Sequence, residues 1–489
     1  MIRGSHQKRT LSLAIISLAL LAFAWGGSVS PAQAQIYTPL YDFGAIDSSQ
    51  TGPNGQLALG QDGNYYGTLN PNAAQIFEVT PVGTESLLWA AGDLSGTVCY
   101  SGLTLGPDGL LYGTCAFWQF NSASSGVIFR YDPAQGQNGF SVIYTFPQFQ
   151  GQFSSNPSAL TLGTDGNLYG TTSPGQGPTL YGTFFRVSTS GAFKTLYTFQ
   201  GQAANDGAYP SVLTLGTDGN FYGTTNQGGT LGTNNGAAFK ITPKGKEKIL
   251  YSFDFTNGRY PLAGLSQGTD GKFYGTASRG GINDQGTIVQ LTTAGKVTLL
   301  HSFDFSVDLA KDPQIPLTVG TDGSLYGPST ACYGGGCGQD SLFKITTKGV
   351  YTDLYSGFSN PCTDSSATGC YLSSPMALNP DGTFYGTTSQ GGDNGQRIGR
   401  GVFYNFNSGL VPFVQPQYPL GKIGTTIGIF GHGFNSASSV AFNGKPASFT
   451  VVSDTYLTAT IPVGATKGYV SVSEAAGSLK SIFKFTPKK

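Results

Sequence analysis

GTDGNLYGTT, residues 163–172, decides the fold, because the chain carries seven versions of it. The others are GQDGNYYGTL (60–69), GPDGLLYGTC (106–115), GTDGNFYGTT (216–225), GTDGKFYGTA (268–277), GTDGSLYGPS (320–329) and NPDGTFYGTT (379–388). Their tyrosines, Tyr66, Tyr112, Tyr169, Tyr222, Tyr274, Tyr326 and Tyr385, fall 46, 57, 53, 52, 52 and 59 residues apart. A period of this size marks a propeller, a solenoid or an array. In the third copy, 159–162 alternates as a strand does, Asp165-Gly166 supplies a hairpin turn, and 168–172 is the return strand. Thr183-Phe184-Phe185-Arg186-Val187 reads as a third strand and 193–199 as a fourth, with Ser190-Gly191 between them. Four strands in roughly 50 residues is the size of a propeller blade, and a β-helix coil would need about half that length.

The third strand recurs around Phe77, Phe129, Phe185, Phe239, Val289, Phe343 and Phe403. The fourth recurs with Trp89, Tyr144, Tyr197, Tyr251, His301 and Tyr355 at its aromatic position, one short of seven. After the last third strand, 410–413 does not fit the pattern. Leu40-Tyr41-Asp42-Phe43 fits it and stands before every other strand. The N-terminal segment is therefore expected to supply the outer strand of the last unit, leaving no open edge. The fold class expected is all-β: a seven-bladed β-propeller closed by an N-terminal strand. The glycine after each repeat tyrosine sits mid-strand, where glycine is unfavourable unless something approaches closely. Close packing of neighbouring blades is the expected cause.

Composition agrees. The 489 residues include 73 glycines and only 11% charged residues, and no helical periodicity is sustained beyond the N-terminus, which suits many short strands joined by turns. Residues 1–34 read as a secretory signal peptide: Arg3, Lys8 and Arg9, an apolar run from Leu11 to Trp25, then Ala32-Gln33-Ala34 before Gln35. The run is too short for a membrane span, so none is expected in the mature chain. Residues 1–34 hold three basic residues and no acidic ones, so the remainder carries 23 basic against 26 acidic residues, a net charge of −3. Without a basic stripe, nucleic acid and other polyanions are excluded as partners. An even count of cysteines in an exported chain predicts disulfides. Spacing favours Cys332–Cys337 and Cys362–Cys370, leaving Cys99–Cys115. A zinc site would need C-x-x-C pairs or nearby histidines, and neither is present. No metal or cofactor is expected.

In such a unit the first-to-second and third-to-fourth turns share one face, and here they are short. The opposite face carries long loops: 200–209, 226–236, 278–286, 357–374 and 389–401. Long loops on a rigid scaffold are where binding resides. On that face Phe117, Trp118, Phe120 and Asn121 place aromatics beside an amide, a combination suited to stacking on sugar rings. They are the candidate ligand-binding residues.

At Val411 the repeat stops. The expected division is a repeat domain over 35–410, a proline-marked linker over 411–419 and a small immunoglobulin-like β-sandwich over 420–489. Strands are expected at 426–430, 439–442, 447–452, 456–461, 468–473 and 482–485. The run GTTIGIFGHGFNSASSVAFNGKPASFTVVSDTYLTATIPVGATKGYVSV resembles the IPT/TIG immunoglobulin-like family, with His432 in its G-H-G-F loop. The DGN-x-YGTT cores, the GG loops and the LY-S/T-F strands resemble the GloVer (Gloeo-Verruco) tandem repeat of secreted bacterial proteins. That resemblance implies an extracytoplasmic repeat scaffold and no particular activity.

The function expected is a secreted or cell-surface binding or structural scaffold, with an extracellular glycan or protein as partner. The alternative is a secreted carbohydrate-active enzyme, a hydrolase or lyase. No catalytic constellation is found. The histidines beyond the leader, His301 and His432, lie far apart, which excludes a Ser-His-Asp site. The S-x-D-x-G-x-T-W boxes of sialidase propellers are absent. A paired-carboxylate hydrolase would draw on Asp206, Asp284, Asp308, Asp312, Asp364 and Asp393 in the long loops, and nothing selects two of them. The seven repeat aspartates, Asp62 to Asp381, read as turn residues and not as calcium ligands.

Overall fold

A computed structural model describes residues 35–43, 52–69, 74–91, 97–99, 101–117, 124–147, 156–173, 181–304, 306, 308, 313–329, 340–358, 370–372, 374–392 and 401–489. The expected leader at 1–34 lies outside them. The structure is all-β, and each repeat forms its own antiparallel sheet, ordered inner, second, third and outer strand. In the third repeat these are Thr161–Leu162, Leu168–Ser173, Thr183–Val187 and Phe193–Thr198. No sheet closes on itself into a barrel.

The repeated motif folds as it does because its aspartate bonds both the turn and the tyrosine. Asp165 Oδ1 accepts from the Asn167 amide at 3.2 Å and Oδ2 from the Tyr169 hydroxyl at 2.9 Å, while Gly166 takes a φ of +77°. The same Asp–Tyr bond joins Asp62–Tyr66, Asp108–Tyr112, Asp218–Tyr222, Asp270–Tyr274 and Asp322–Tyr326 at 2.7–3.1 Å. It ties the turn to the tyrosine, whose ring is buried between sheets.

The glycine after that tyrosine makes room for a ring of its own sheet. Gly170 lies opposite Phe185, and a Cβ at Gly170 would meet the Phe185 ring at 2.5 Å. Gly67–Phe77, Gly113–Phe129, Gly223–Phe239 and Gly327–Phe343 pair identically. The close approach expected between blades is thus a cross-strand aromatic contact within these sheets, while in the fifth repeat Gly275 faces Val289 and a Cβ there would meet Leu265 at 2.7 Å.

Inner strands are less regular than their sequence alternation implies. In the third repeat the strand breaks between Asn156–Pro157 and Thr161–Leu162. Ser158 Oγ there accepts from the Thr171 amide at 3.1 Å, so a side chain takes over a place in the backbone ladder.

The outer strand of the last sheet is the N-terminal segment. Ile36–Asp42 runs antiparallel to Val402–Asn407, pairing Ile36 with Asn407 and Asp42 with Val402. Its ladder skips Leu40, between Pro39 and Tyr41. The other six outer strands skip the corresponding Leu88, Ile143, Leu196, Leu250, Leu300 and Leu354. A bulge shared at one position identifies the N-terminal strand as structurally equivalent to the rest.

The core lies between sheets. Separate apolar clusters join the first repeat to the second (Trp89, Phe129), the second to the third (Tyr112, Phe185), the third to the fourth (Tyr169, Phe239) and the fourth to the fifth (Tyr222, Phe273). Others join the fifth to the sixth (Tyr274, Phe343), the sixth to the last (Tyr326, Tyr404) and the last back to the first (Tyr385, Tyr65).

The C-terminal region forms two four-stranded sheets around Ile429, Phe434, Leu457, Ile461, Val470 and Val472. Within the stretch expected to be a linker, Gln415–Pro416 pairs with Phe430 and Ile429, and Val414 is buried in the sandwich. No strand forms over 482–485. Ile482 and Phe483 turn away to pack on the cluster between the fifth and sixth repeats, and the last strand is Thr486–Lys488.

Candidate functional site

The two faces of the repeat domain differ in what covers them. On the short-turn face sits the C-terminal sandwich. Ser453 Oγ donates to the Gln61 carbonyl at 2.7 Å, Gln417 Nε2 to the Gly106 carbonyl at 3.3 Å, and the Phe413 amide to the Pro380 carbonyl at 2.8 Å. These contacts reach the Asp-Gly turns of the first, second and last repeats. Near the last, burial raises the Asp381 carboxyl above its ordinary value, opposed by hydrogen bonds from Thr383.

Among the described residues, inner strands of the repeats line a cavity of about 570 Å³, and Phe413, Tyr418, Phe430 and Phe483 of the C-terminal domain line it as well. At equivalent inner-strand positions stand Ala58, Thr104, Thr161, Thr214, Ser266, Thr318 and Ala377. Each hydroxyl donates to the next sheet's backbone: Thr104 to the Leu160 carbonyl at 2.6 Å, Thr161 to Leu213 at 2.8 Å, Thr214 to Leu265, Ser266 to Leu317 at 2.5 Å and Thr318 to Met376 at 2.6 Å. The cavity wall is spent on holding the sheets together. Neither its hydroxyls nor its leucines form a constellation that could do chemistry.

The long-loop face carries the sequence candidates. Phe117 ends the second strand of its repeat, its backbone paired with Thr97. Trp118, Phe120 and Asn121 lie outside the described residues. The base of that loop is stapled by the expected Cys99–Cys115 disulfide, with Cα atoms 4.0 Å apart and both cysteines buried. Cys370 is also disulfide-bonded. Cys332, Cys337 and Cys362, and with them the other two expected pairings, lie outside the described residues.

Three of the loop aspartates are committed to internal contacts. Asp206 is buried and accepts from the Tyr197 hydroxyl at 2.8 Å, the Gln200 amide at 2.8 Å and the Gly207 amide at 2.6 Å. Asp284 receives Arg259 as a fork, at 2.7 and 3.2 Å, plus the Gly280 amide at 2.7 Å. Asp308 holds His301 Nε2 at 3.0 Å and the Asp304 amide at 2.8 Å. His301 stacks on Tyr351 with centroids 4.3 Å apart, in the place other repeats give to a tyrosine. Asp312, Asp364 and Asp393 lie outside the described residues. Among the described residues no group of three or more His, Cys, Asp or Glu is arranged to hold a metal.

Sequence reasoning missed another set on this face. Tyr209, Tyr260 and Tyr371 stand where the chain enters the inner strands of their repeats, and their φ angles are +59°, +55° and +56°. Positive φ is uncommon for any residue but glycine, asparagine or aspartate, and for a bulky one it is an outlier. Tyr209 and Tyr260 also precede prolines, which restricts them further. The X-Pro positions of other repeats hold Gly52, Asn156 and Asp312, and the tyrosines in their place were the available signal.

No curated protein matches the chain. Among solved structures it is similar to a candidate gluconolactonase, with 12% identity over 77% of this chain and 93% of that one at a TM-score of 0.38. PorZ of Porphyromonas gingivalis, a surface component of a type-IX secretion system, shares 12% identity over 89% of this chain and 59% of its own, with a TM-score of 0.43. Regucalcin of Agrobacterium tumefaciens, a calcium-binding protein, shares 13% over 60% and 88%, with a TM-score of 0.37. Family models match twice over the repeats, at 119–339 and 232–411, and once at 412–486, the IPT/TIG domain. The repeat matches together span 119–411, more than half of the chain, which therefore belongs to the Gloeobacter/Verrucomicrobia repeat family and carries a C-terminal IPT/TIG domain.

Proposed function

We propose that the mature chain is an extracytoplasmic binding scaffold: a seven-bladed propeller over 35–410, joined through 411–419 to the immunoglobulin-like domain over 420–489, that presents its long-loop face to an extracellular glycan. The observation that carries this reading is the placement of the C-terminal domain. It covers the short-turn face, so the long loops are the face left to a partner. Export is supported by the leader-like sequence at 1–34 and by disulfides at Cys99–Cys115 and Cys370. Phe117, Trp118, Phe120 and Asn121 form one contact on that face, their rings stacking on sugar faces while the amide reads hydroxyls. A hydrolase or lyase would need free acids, and the internal bonds of Asp206, Asp284 and Asp308 count against it.

The test is a glycan array and a polysaccharide-degradation assay on the mature protein. Binding without turnover is expected, with the signal lost in Trp118→Ala at an unchanged melting temperature. Turnover would replace this reading with the enzyme. Unfolding of Trp118→Ala would assign that ring to the core.

A further inference from the structure

We infer that Tyr209, Tyr260 and Tyr371 are stacking platforms for the rings of a neutral polysaccharide laid across the open face, an inference that rests on the binding role proposed above but on different residues. Three observations carry it. The first is the backbone. A bulky side chain at positive φ is strained, and residues held in such strain cluster at ligand clamps and active sites.

The second is anchorage. The Tyr209 amide donates to the Tyr181 carbonyl, and the Tyr260 amide to the Asn235 carbonyl, both at 2.9 Å. These two strained residues are thereby pinned to the loop of the preceding repeat. Each ring is partly exposed, and the Tyr209 hydroxyl has no hydrogen-bond partner among the described residues.

The third is charge. Beside Tyr260, Arg259 is locked onto Asp284 and lies 5.2 Å from the centroids of both Tyr260 and Phe255. Beside Tyr209, Asp206 is buried and saturated. The flanking loops are rich in amides and glycines, as in NQGGTLGTNNG at 226–236, and beside Tyr260 the guanidinium of Arg279 turns to the Asp284 carbonyl at 3.5 Å. Rings flanked by neutral donors and acceptors, with the charges internally matched, fit an uncharged sugar polymer better than an acidic or basic one. Leu231, Phe255, Leu262 and Ile282 are exposed on the same loops but carry no backbone strain, and scattered exposed apolar residues are ordinary.

Glycine substitution tests this directly, because glycine accepts positive φ without strain. Tyr209→Gly, Tyr260→Gly and Tyr371→Gly in the full mature chain are expected to keep the melting temperature and lose about tenfold in affinity per ring for neutral polysaccharides such as xylan, mannan and β-glucan. The triple variant is expected to bind none, and Tyr→Trp is expected to restore binding. If the glycine variants bind like the wild type while Trp118→Ala does not, the tyrosines are not platforms and the reading of the face survives. If the wild type binds no glycan, or only charged ones, the inference fails together with its premise or its ligand class. A fall in melting temperature in the glycine variants would assign the rings to packing and overturn the proposal.

Discussion

Thr276 Oγ1 is buried without a hydrogen-bond partner, and one substitution explains it. In four other repeats the equivalent threonine meets a serine thirteen residues earlier: Ser101–Thr114, Ser158–Thr171 at 2.9 Å, Ser211–Thr224 at 2.8 Å and Ser374–Thr387 at 2.9 Å. In the fifth repeat that place is taken by Ala263, itself buried. Ala263→Ser is expected to restore the pair and raise stability by about 1 kcal/mol, the net value of an ordinary hydrogen bond, read as a higher denaturant midpoint at unchanged slope. A midpoint that falls would mean the hydroxyl does not fit. At this scale the sequence was partly legible. Asp165 and its equivalents were readable as turn residues because Asp-Gly has few other uses. The task of Gly170 was misread, since nothing in one strand says which ring of the next will lie across it.

At the scale of elements, the outer strands carry a ring of contacts between sheets. The aromatic position of each meets the residue three before the bulge of the next: Trp89 stacks on Phe140 and Tyr144 on Phe193, both at 3.9 Å, and Tyr355 on Tyr37 at 4.5 Å. Two of these meetings place a glutamate against a tyrosine instead, Glu85 beside Tyr41 and Glu247 beside Tyr197. Burial pushes the Glu247 carboxyl up to about 8, with the Asp206 charge adding to it, and burial pushes Glu85 up to about 7. A carboxyl whose folded pKa is raised binds its proton more tightly in the native state than in the unfolded chain. Its effect therefore runs opposite to the usual one: stability falls as pH rises from the ordinary glutamate value through the raised one. Glu247→Gln is expected to flatten the decline in melting temperature between about pH 5 and 8 and to melt higher than the wild type at pH 8. Equal slopes for the two proteins would refute it. The outer strands were found from their LY-S/T-F pattern, but their bulges were not, because a skipped Leu196 and a paired one look alike in a sequence.

At the scale of the whole molecule, the missing seventh outer strand was the most informative feature of the sequence. Counting strands placed residues 40–43 beside the last third strand, and the Tyr41–Phe403 pair is that contact. The seating of the C-terminal domain was not legible, since Gln417 and Ser453 are ordinary polar residues whose carbonyl partners belong to any turn. Deleting 36–42 bares the edge of Val402–Asn407 and strips Tyr37 from Tyr355, Phe358 and Tyr404. Such an edge recruits other strands. The deletion is expected to give soluble oligomers or aggregates and a lower, broader thermal transition, seen by light scattering and calorimetry. A monomer melting like the wild type would show that the N-terminal strand is dispensable. The same strand decides how the molecule answers tension. A load entering at residue 35 falls on the Ile36–Asn407 pair first and peels the partners apart in turn, as a zipper opens, drawing Tyr37 off Tyr355 as it goes. A protein hung by its leading end would give way there, by a seam that can close again once the pull is released.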